Sequence, residues 1–285
     1  MLKNIETLWL TELNLIQFND VKMLLNICEK YDGGGPIIYP NSLVQTRLPA
    51  MNGLIYYQHR LIAFVSTYFF YKTACECSLF VSPEYRKRGI AKILLQPLIS
   101  LLKSQNMESI YFSASQSFSV ENYPQLHFHS CEYRLTRPID KSIKKSTARL
   151  HFRTAAFDDI ESLCNLDHAC FHNYDIDTMA LRFQELIQSP YYHVLIGEKE
   201  GKLIAKAHIQ WQQDQAIFSD IAVFPEYQRH GYGSEIVHAC LIESQHRAFK
   251  QAMLEVESNN ENALKLYLKH GFKVEKATNF WALNI

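Results

Sequence analysis

Between Tyr192 and Val223 the apolar positions fall into three blocks of strand length, Tyr192–Gly197, Leu203–Trp211 and Gln215–Val223, the first two parted by the polar turn Glu198–Lys202. Blocks of this kind predict an antiparallel meander. After Val223 the period changes: Pro225 opens a turn, and Ile236, Val237, Cys240 and Leu241 recur at helical spacing. A helix is therefore expected to start near Gly231. Upstream, His151–Arg153 reads as a short strand. Asp158 and Asp159 give an acidic first turn to a helix with Ile160, Leu163 and Leu166 on one stripe, and Met179–Ile187 gives a second helix ended by Pro190. Downstream, Met253–Glu257 alternates as a strand, Asn259 or Asn260 caps a helix that stops at Gly271, and Lys273–Glu275 with Phe280–Leu283 closes the sheet. The order predicts a mixed α/β sheet, antiparallel first, with one crossover helix joining two parallel neighbours.

The same pattern stands 142 positions earlier. Val223-Phe-Pro-Glu-Tyr-Gln-Arg-His-Gly-Tyr-Gly233 is echoed by Val81-Ser-Pro-Glu-Tyr-Arg-Lys-Arg-Gly-Ile-Ala91, and a gapless alignment of 61–91 with 203–233 matches nine of 31 positions. Two copies of one domain follow from that period, not a solenoid of short units. The polar, basic stretch Pro138–Ala148 reads as a linker, so the expected domains are 1–140 and 148–285.

Bulk properties narrow the chemistry. Of the 285 residues 47% are hydrophobic, enough for a core in each of two domains, and 29 basic against 29 acidic residues leave no net charge. Without a basic field the chain offers no broad surface for nucleic acid or an anionic membrane. Seven cysteines without a C-x-x-C pair, mostly inside apolar runs, read as reduced core thiols. A basic leader and a run of about twenty apolar residues are both missing, so the expectation is a soluble cytoplasmic protein.

The stretch ending at Gly233 carries the candidate chemistry. Glycines at 231 and 233 let backbone N–H groups converge on an anion at the positive end of a helix. A plain strand-to-helix connection would use the same residues. Gln228-x-x-Gly231-x-Gly233, its echo Arg86-x-x-Gly89-x-Ala91, and Asn260-x-x-Ala263-x-x-Leu266-Tyr267-x-Lys269-x-Gly271-Phe272 together resemble the GNAT acetyltransferase family. The resemblance spans both halves and implies two tandem GNAT-like acyl-CoA N-acyltransferase domains. It also implies acetyl-CoA as co-substrate. Its pyrophosphate would lie on the backbone of Arg229, His230, Gly231, Tyr232 and Gly233, with Gln228 at the start of the motif also in the cofactor site, and its pantetheine along Ile221, Ala222 and Val223.

Spacing agrees with this. Asn260, Ala263 and Tyr267 share one helix face, where the small Ala263 leaves room for a ligand arm. Acetyl transfer to an amine needs a neutral amine, a donor for the oxyanion and an acid for the thiolate. The resemblance gives the last role to Tyr267. The match of Leu254-Glu-Val-Glu-Ser-Asn to bacterial N-terminal acetyltransferases of ribosomal proteins implies Glu255 as base, with Asp220 second; spacing alone equally allows a solvated strand face. At pH 7 an α-amine loses its proton for about 1.4 kcal/mol and a lysine for about 4.6, so a lone glutamate suits the former.

Three features read as bland. His127-Phe-His129 lacks a further ligand in sequence, and no metal is expected. Asp32-Gly-Gly-Gly-Pro36 lacks the Lys-Ser/Thr of a phosphate loop and reads as a mobile loop. Pro97 should kink or re-form the helix after Gln96. With no counterpart of the Asn260–Tyr267 motif around Ser119–His129, where Pro124 intervenes and Tyr123 is a poor substitute, the N-terminal domain is expected to be degenerate. The reading is an N-acetyltransferase acting on an amine, a small molecule first, with a protein α-amino terminus or a non-catalytic acyl-CoA sensor as alternatives. A partner beyond acetyl-CoA and the acceptor is not implied, and oligomeric state stays open.

Overall fold

The computed structural model describes residues 5–116, 118–140, 143, 148–171 and 176–285. In chain order it runs β1 (Glu6–Leu10), α1 (Leu15–Asp32), α2 (Pro40–Leu43), β2 (Asn52–Tyr57), β3 (Arg60–Tyr68), β4 (Ala74–Val81), α3 (Ile90–Ser104), β5 (Ser109–Ser115) and β6 (His127–Pro138). There follow β7 (His151–Thr154), α4 (Ile160–Phe171), α5 (Ile176–Gln188), β8 (Tyr192–Lys199), β9 (Lys202–Gln212), β10 (Gln215–Val223), α6 (Tyr232–His246), β11 (Gln251–Glu257), α7 (Glu261–Lys269) and β12 (Lys273–Asn284).

Residues form two compact units. One comprises the chain up to Glu132 together with Ala277–Ile285, the other Tyr133–Lys276. Within the first unit the strands lie in the order β1-β2-β3-β4-β5 and then the end of β12; within the second, the end of β6 is followed by β11-β10-β9-β8-β7. The pairs β1–β2, β2–β3, β3–β4, β5–β12, β7–β8, β8–β9 and β9–β10 are antiparallel, while β4–β5 and β10–β11 are parallel and are bridged by the crossover helices α3 and α6. In the second unit α6 and α7 cover one face of the sheet over Ala216, Phe218, Leu254 and Val256, while α4 and α5 cover the other over Val194 and Ile196. The first unit repeats this with α3 on Cys75, Val65 and Ile110, and α1 on Phe64 and Phe80.

Local signals explain the boundaries. Asn14 Oδ1 accepts from the Gln17 N–H while the Gln17 side chain accepts from the Asn14 N–H, a reciprocal cap that starts α1. Asn260 Oδ1 accepts from the Ala263 N–H and starts α7, which Gly271, at φ +80°, ends.

Two expectations are corrected. The helix α3 runs unbroken through Pro97. Leu94, Leu98 and Leu102 are fully buried along it, and at roughly 1.5–3 kcal/mol each their burial outweighs the roughly 3 kcal/mol a mid-helix proline costs. The closing segments Lys273–Glu275 and Phe280–Leu283 are one strand, and its Thr278–Asn284 pair with Ser115–Ser109 of β5 in the first unit. By their internal contacts the two units part at 132/133 and again at 276/277. Composition alone hid this, because backbone pairing decides where a strand belongs.

Candidate active site

The parallel pairing of β10 with β11 covers only Gln215–Phe218 against Gln251–Leu254. Beyond it the strands part. Among the described residues no backbone pairing joins Ser219–Val223 to Glu255–Glu257, so a wedge opens between the two strands. A bulge between Ser219 and Ala222 in the β10–β9 ladder, with Asp220 at φ +48°, marks where β10 turns away. The Phe224 N–H donates to Ile204 O of β9 at 3.0 Å. By antiparallel alternation the N–H and C=O of Val223 face away from β9, towards the wedge. The carbonyl is occupied: Gln228 Nε2 donates to it at 2.9 Å and Cys170 Sγ at 3.3 Å. The N–H is left as a donor aimed at the wedge.

From there the chain enters the cradle. Arg229 (φ +61°) and Gly231 (φ +88°) are both left-handed, and α6 begins at Tyr232. Alternating handedness of this kind turns successive N–H groups into one concavity, and the first N–H groups of α6 have no acceptor within the helix. Gly233 is not required by conformation. A Cβ there would meet Leu266 Cδ2 at an ordinary 3.5 Å, which explains why Ala91 serves at the same position of the first copy. Two cations that the motifs do not contain stand beside the cradle. Arg149 donates to Glu235 at 2.7 Å and to His230 O at 2.5 Å and lies 4.6 Å from the Tyr232 ring, with Lys199 5.6 Å from that ring. Their distance in sequence from the motif hides them.

The α7 residues line up as spacing implies. Ala263 and the buried Tyr267 pack with Tyr232 and Val223 in one cluster. Burial, aided by nearby Cys240, pushes the Tyr267 hydroxyl up to about 12. On β11, Leu254 and Val256 are buried towards α6 and α7, so Glu255 faces the other side of the sheet, where its side chain is 40% exposed. Its Oε1 accepts two N–H bonds from Arg134 of β6 at 2.8 and 3.0 Å. Asp220, on that same side, meets His208 at 3.1 Å and Arg182 at 3.4 Å. A cavity of about 370 Å³ lies on the α6 side against β7 and β8, lined by His193, His238, Glu243 and Arg247. It contains none of the residues assigned from sequence.

The first unit has the same cradle with a different wedge. Lys87 (φ +58°) and Gly89 (φ +78°) repeat the left-handed pair, Arg86 Nε donates to Val81 O at 2.9 Å, and Cys28 Sγ donates to it at 3.5 Å. Cys28 and Cys170 are themselves 142 apart. Extending the alignment beyond its marked segment would have found this pair. Here, however, the stretch after α1 bridges the parting of β4 from β5. Ser78 Oγ donates to Ile37 O, the Ile37 N–H donates to Ser113 Oγ at 2.9 Å, and Tyr39 donates to Glu76 at 2.6 Å. Arg86 is clamped to both oxygens of Asp32 at 2.7 Å. The Asp32–Pro36 segment is thus the start of an anchored strap where a mobile loop was expected. His129 stacks on Tyr111 at 3.9 Å.

Comparison with known proteins agrees with the geometry. The model of the acetyltransferase (GNAT) family matches twice, over residues 29–133 and 160–272. A Bacillus subtilis protein named as a candidate ribosomal protein bS18-alanine N-acetyltransferase is 31% identical over 91 residues, 32% of this chain and 60% of the relative. The matched stretch thus spans less than two thirds of that protein. Among solved structures, a GCN5-related N-acetyltransferase of Sphaerobacter thermophilus superposes with a TM-score of 0.83 at 11% identity, covering 100% of this chain and 96% of its own. A tandem GNAT protein from the clavulanic acid biosynthesis pathway gives 0.74 at 12%, covering 99% and 98%.

Proposed function

Because the chain belongs to the GNAT acetyltransferase family, two copies of whose fold it contains, we propose that it is an acetyl-CoA-dependent N-acetyltransferase with its reaction in the second unit. One observation carries the choice of unit. Among the described residues nothing bridges the wedge between β10 and β11 beside the cradle, whereas the wedge between β4 and β5 is bridged by Ile37. The domain comprising roughly 1–140 is then a degenerate supporting copy, and that comprising 148–285 holds the site.

The roles follow from placement. N–H groups of Arg229–Gly233 hold the pyrophosphate, with Gln228 fixing the strand end and Arg149 and Lys199 supplying charge nearby. Ile221–Val223 and the α7 face at Asn260 and Ala263 line the pantetheine arm, and the Val223 N–H polarises the thioester carbonyl. Glu255 takes the proton of the acceptor amine through the oxygen Arg134 leaves free. Tyr267 faces the departing sulfur. An ordinary thiol near 8.5 and a hydroxyl near 12 differ by about 5 kcal/mol, so Tyr267 acts first as a hydrogen-bond donor to the developing thiolate, and full proton transfer completes only as that thiolate is itself desolvated.

The first acceptor reading is a small-molecule primary amine. The relative named for bS18-alanine acetylation favours a second, the α-amino terminus of a protein. Thiol release from acetyl-CoA, measured across small amines and across peptides beginning with alanine, tests both. Turnover with small amines supports the first reading and turnover with peptides alone the second. Donor binding without release above background hydrolysis would make the chain an acyl-CoA sensor.

A further inference from the structure

Beneath α4 and α5, on the same side of the sheet as Glu255, four ionisable side chains form a line. Lys206 of β9 is fully buried, 2.7 Å from Asp167 of α4 and 3.2 Å from His208 Nε2. His208, also buried, has its Nδ1 3.1 Å from Asp220 Oδ2. Only Asp220 reaches the surface to any extent, its side chain 23% exposed against 0% for Lys206, 2% for His208 and 7% for Asp167.

The fold does not need these charges. The positions 142 residues earlier hold Leu25, Phe64, Ser66 and Ser78 in an equivalent set of elements. Buried ion pairs seldom stabilise more than well-packed apolar residues of like volume, so a buried line of charge ending at one accessible carboxylate points to recognition. Its polarity is fixed. An ammonium only donates, so Lys206 donates to Nε2 and leaves the Nδ1–H of His208 to donate to Asp220. Burial and Lys206 hold the imidazole down at about 4, which keeps it neutral in this tautomer. Burial pushes the Asp220 carboxyl up, but the His208 hydrogen bond and the Lys206 and Arg182 charges more than reverse this, well below the usual carboxylate range. Such a group is a poor base and a permanent anion.

Its place completes the argument. The bulge sets Ser219 and Asp220 on one side, and Ser219 Oγ donates to Asp220 at 3.0 Å. Asp220 sits in the bulge and immediately precedes Ile221–Val223, the segment assigned to the donor arm. We propose that Asp220 is the acceptor-binding residue, seating the protonated amine of a cationic primary amine beside the donor arm, and that His208, Lys206 and Asp167 are positioning residues that hold its carboxylate. This rests on the second unit being the acetyl-transfer site. The ammonium proton passes to Glu255, the freed lone pair attacks the acetyl carbonyl, and the C–S bond breaks with its electron pair leaving on sulfur; Tyr267 gives sulfur its proton and is restored by the second proton, which the nitrogen sheds as the amide forms.

The test uses the full chain and its best amine from the thiol-release panel. Asp220→Asn should raise the acceptor KM about 10- to 100-fold, the size of one charge-assisted contact, with acetyl-CoA affinity by calorimetry within about twofold of the parent. The double variant Lys206→Met/Asp167→Leu, which removes the buried pair as a unit, should keep its melting temperature and raise the acceptor KM more than it lowers kcat; an aniline acceptor, uncharged at pH 7, should lose least. An acceptor KM unchanged in Asp220→Asn, or a double variant that folds and loses only kcat, overturns this inference and leaves the proposed function standing. An unsubstituted chain that binds acetyl-CoA and turns over no amine overturns both.

Discussion

At residue scale the assignments separate by what burial does to each group. Tyr267 is protonated throughout the working range, so Tyr267→Phe should lower kcat at least about 100-fold with donor affinity kept, as stopped-flow and calorimetry would read. His208 makes the opposite kind of statement. Its folded value is depressed to about 4 against an unfolded value near 6.5, so its contribution is present above pH 6.5 and is lost as pH falls towards 4. Denaturant unfolding at pH 5 should show about 2 kcal/mol less stability than at pH 7 from this group. Tyr267 was legible because its neighbours Asn260, Ala263 and Phe272 form a spaced motif. Lys206 and His208 were not. In strand alternation two polar residues at i and i+2 look like a solvated face, and only α4 and α5, with Asp167 and Phe183, show that the face is covered.

At the scale of elements, the strand–turn–helix was legible to the residue because it needs positive φ at fixed positions and a helix start beyond them. Gly231→Glu tests that need. At φ +88° any side chain is strained, and the carboxylate would repel the pyrophosphate; Arg149 Nη2, 3.0 Å from the new Cβ, is a flexible end that can move aside. Acetyl-CoA binding by calorimetry should disappear. Gly89→Glu, in the first cradle at φ +78°, should leave the measured binding and turnover unchanged if the strap excludes the donor there. What composition did not reveal was the strap itself. Three successive glycines read as slack, yet Ile37 is held from both sides by serines on β4 and β5. Those anchors lie 41 and 76 residues away in sequence.

For the whole molecule, the two-copy organisation was visible as an offset of 142, while the path of the chain through the copies was not. The first unit ends its sheet with residues 277–285 and the second begins with Tyr133. A fragment 148–285 would therefore leave out the part of β6 that neighbours β11 and carry a β12 tail without its β5 partner. It should aggregate or lack a cooperative melt, while 1–285 shows one acetyl-CoA bound per chain by calorimetry. An unpaired edge and an orphan strand are a known route to association.

The pairing of β5 with the end of β12 also sets an order of events during synthesis. Ser109 meets Asn284 across 175 residues. At roughly 5–20 residues per second, β5 leaves the ribosome some 10 to 35 s before its neighbour exists. The half of the protein made first is thus the half completed last. Through that interval its open strand edge is the place where a chaperone, or another nascent chain, has its opportunity.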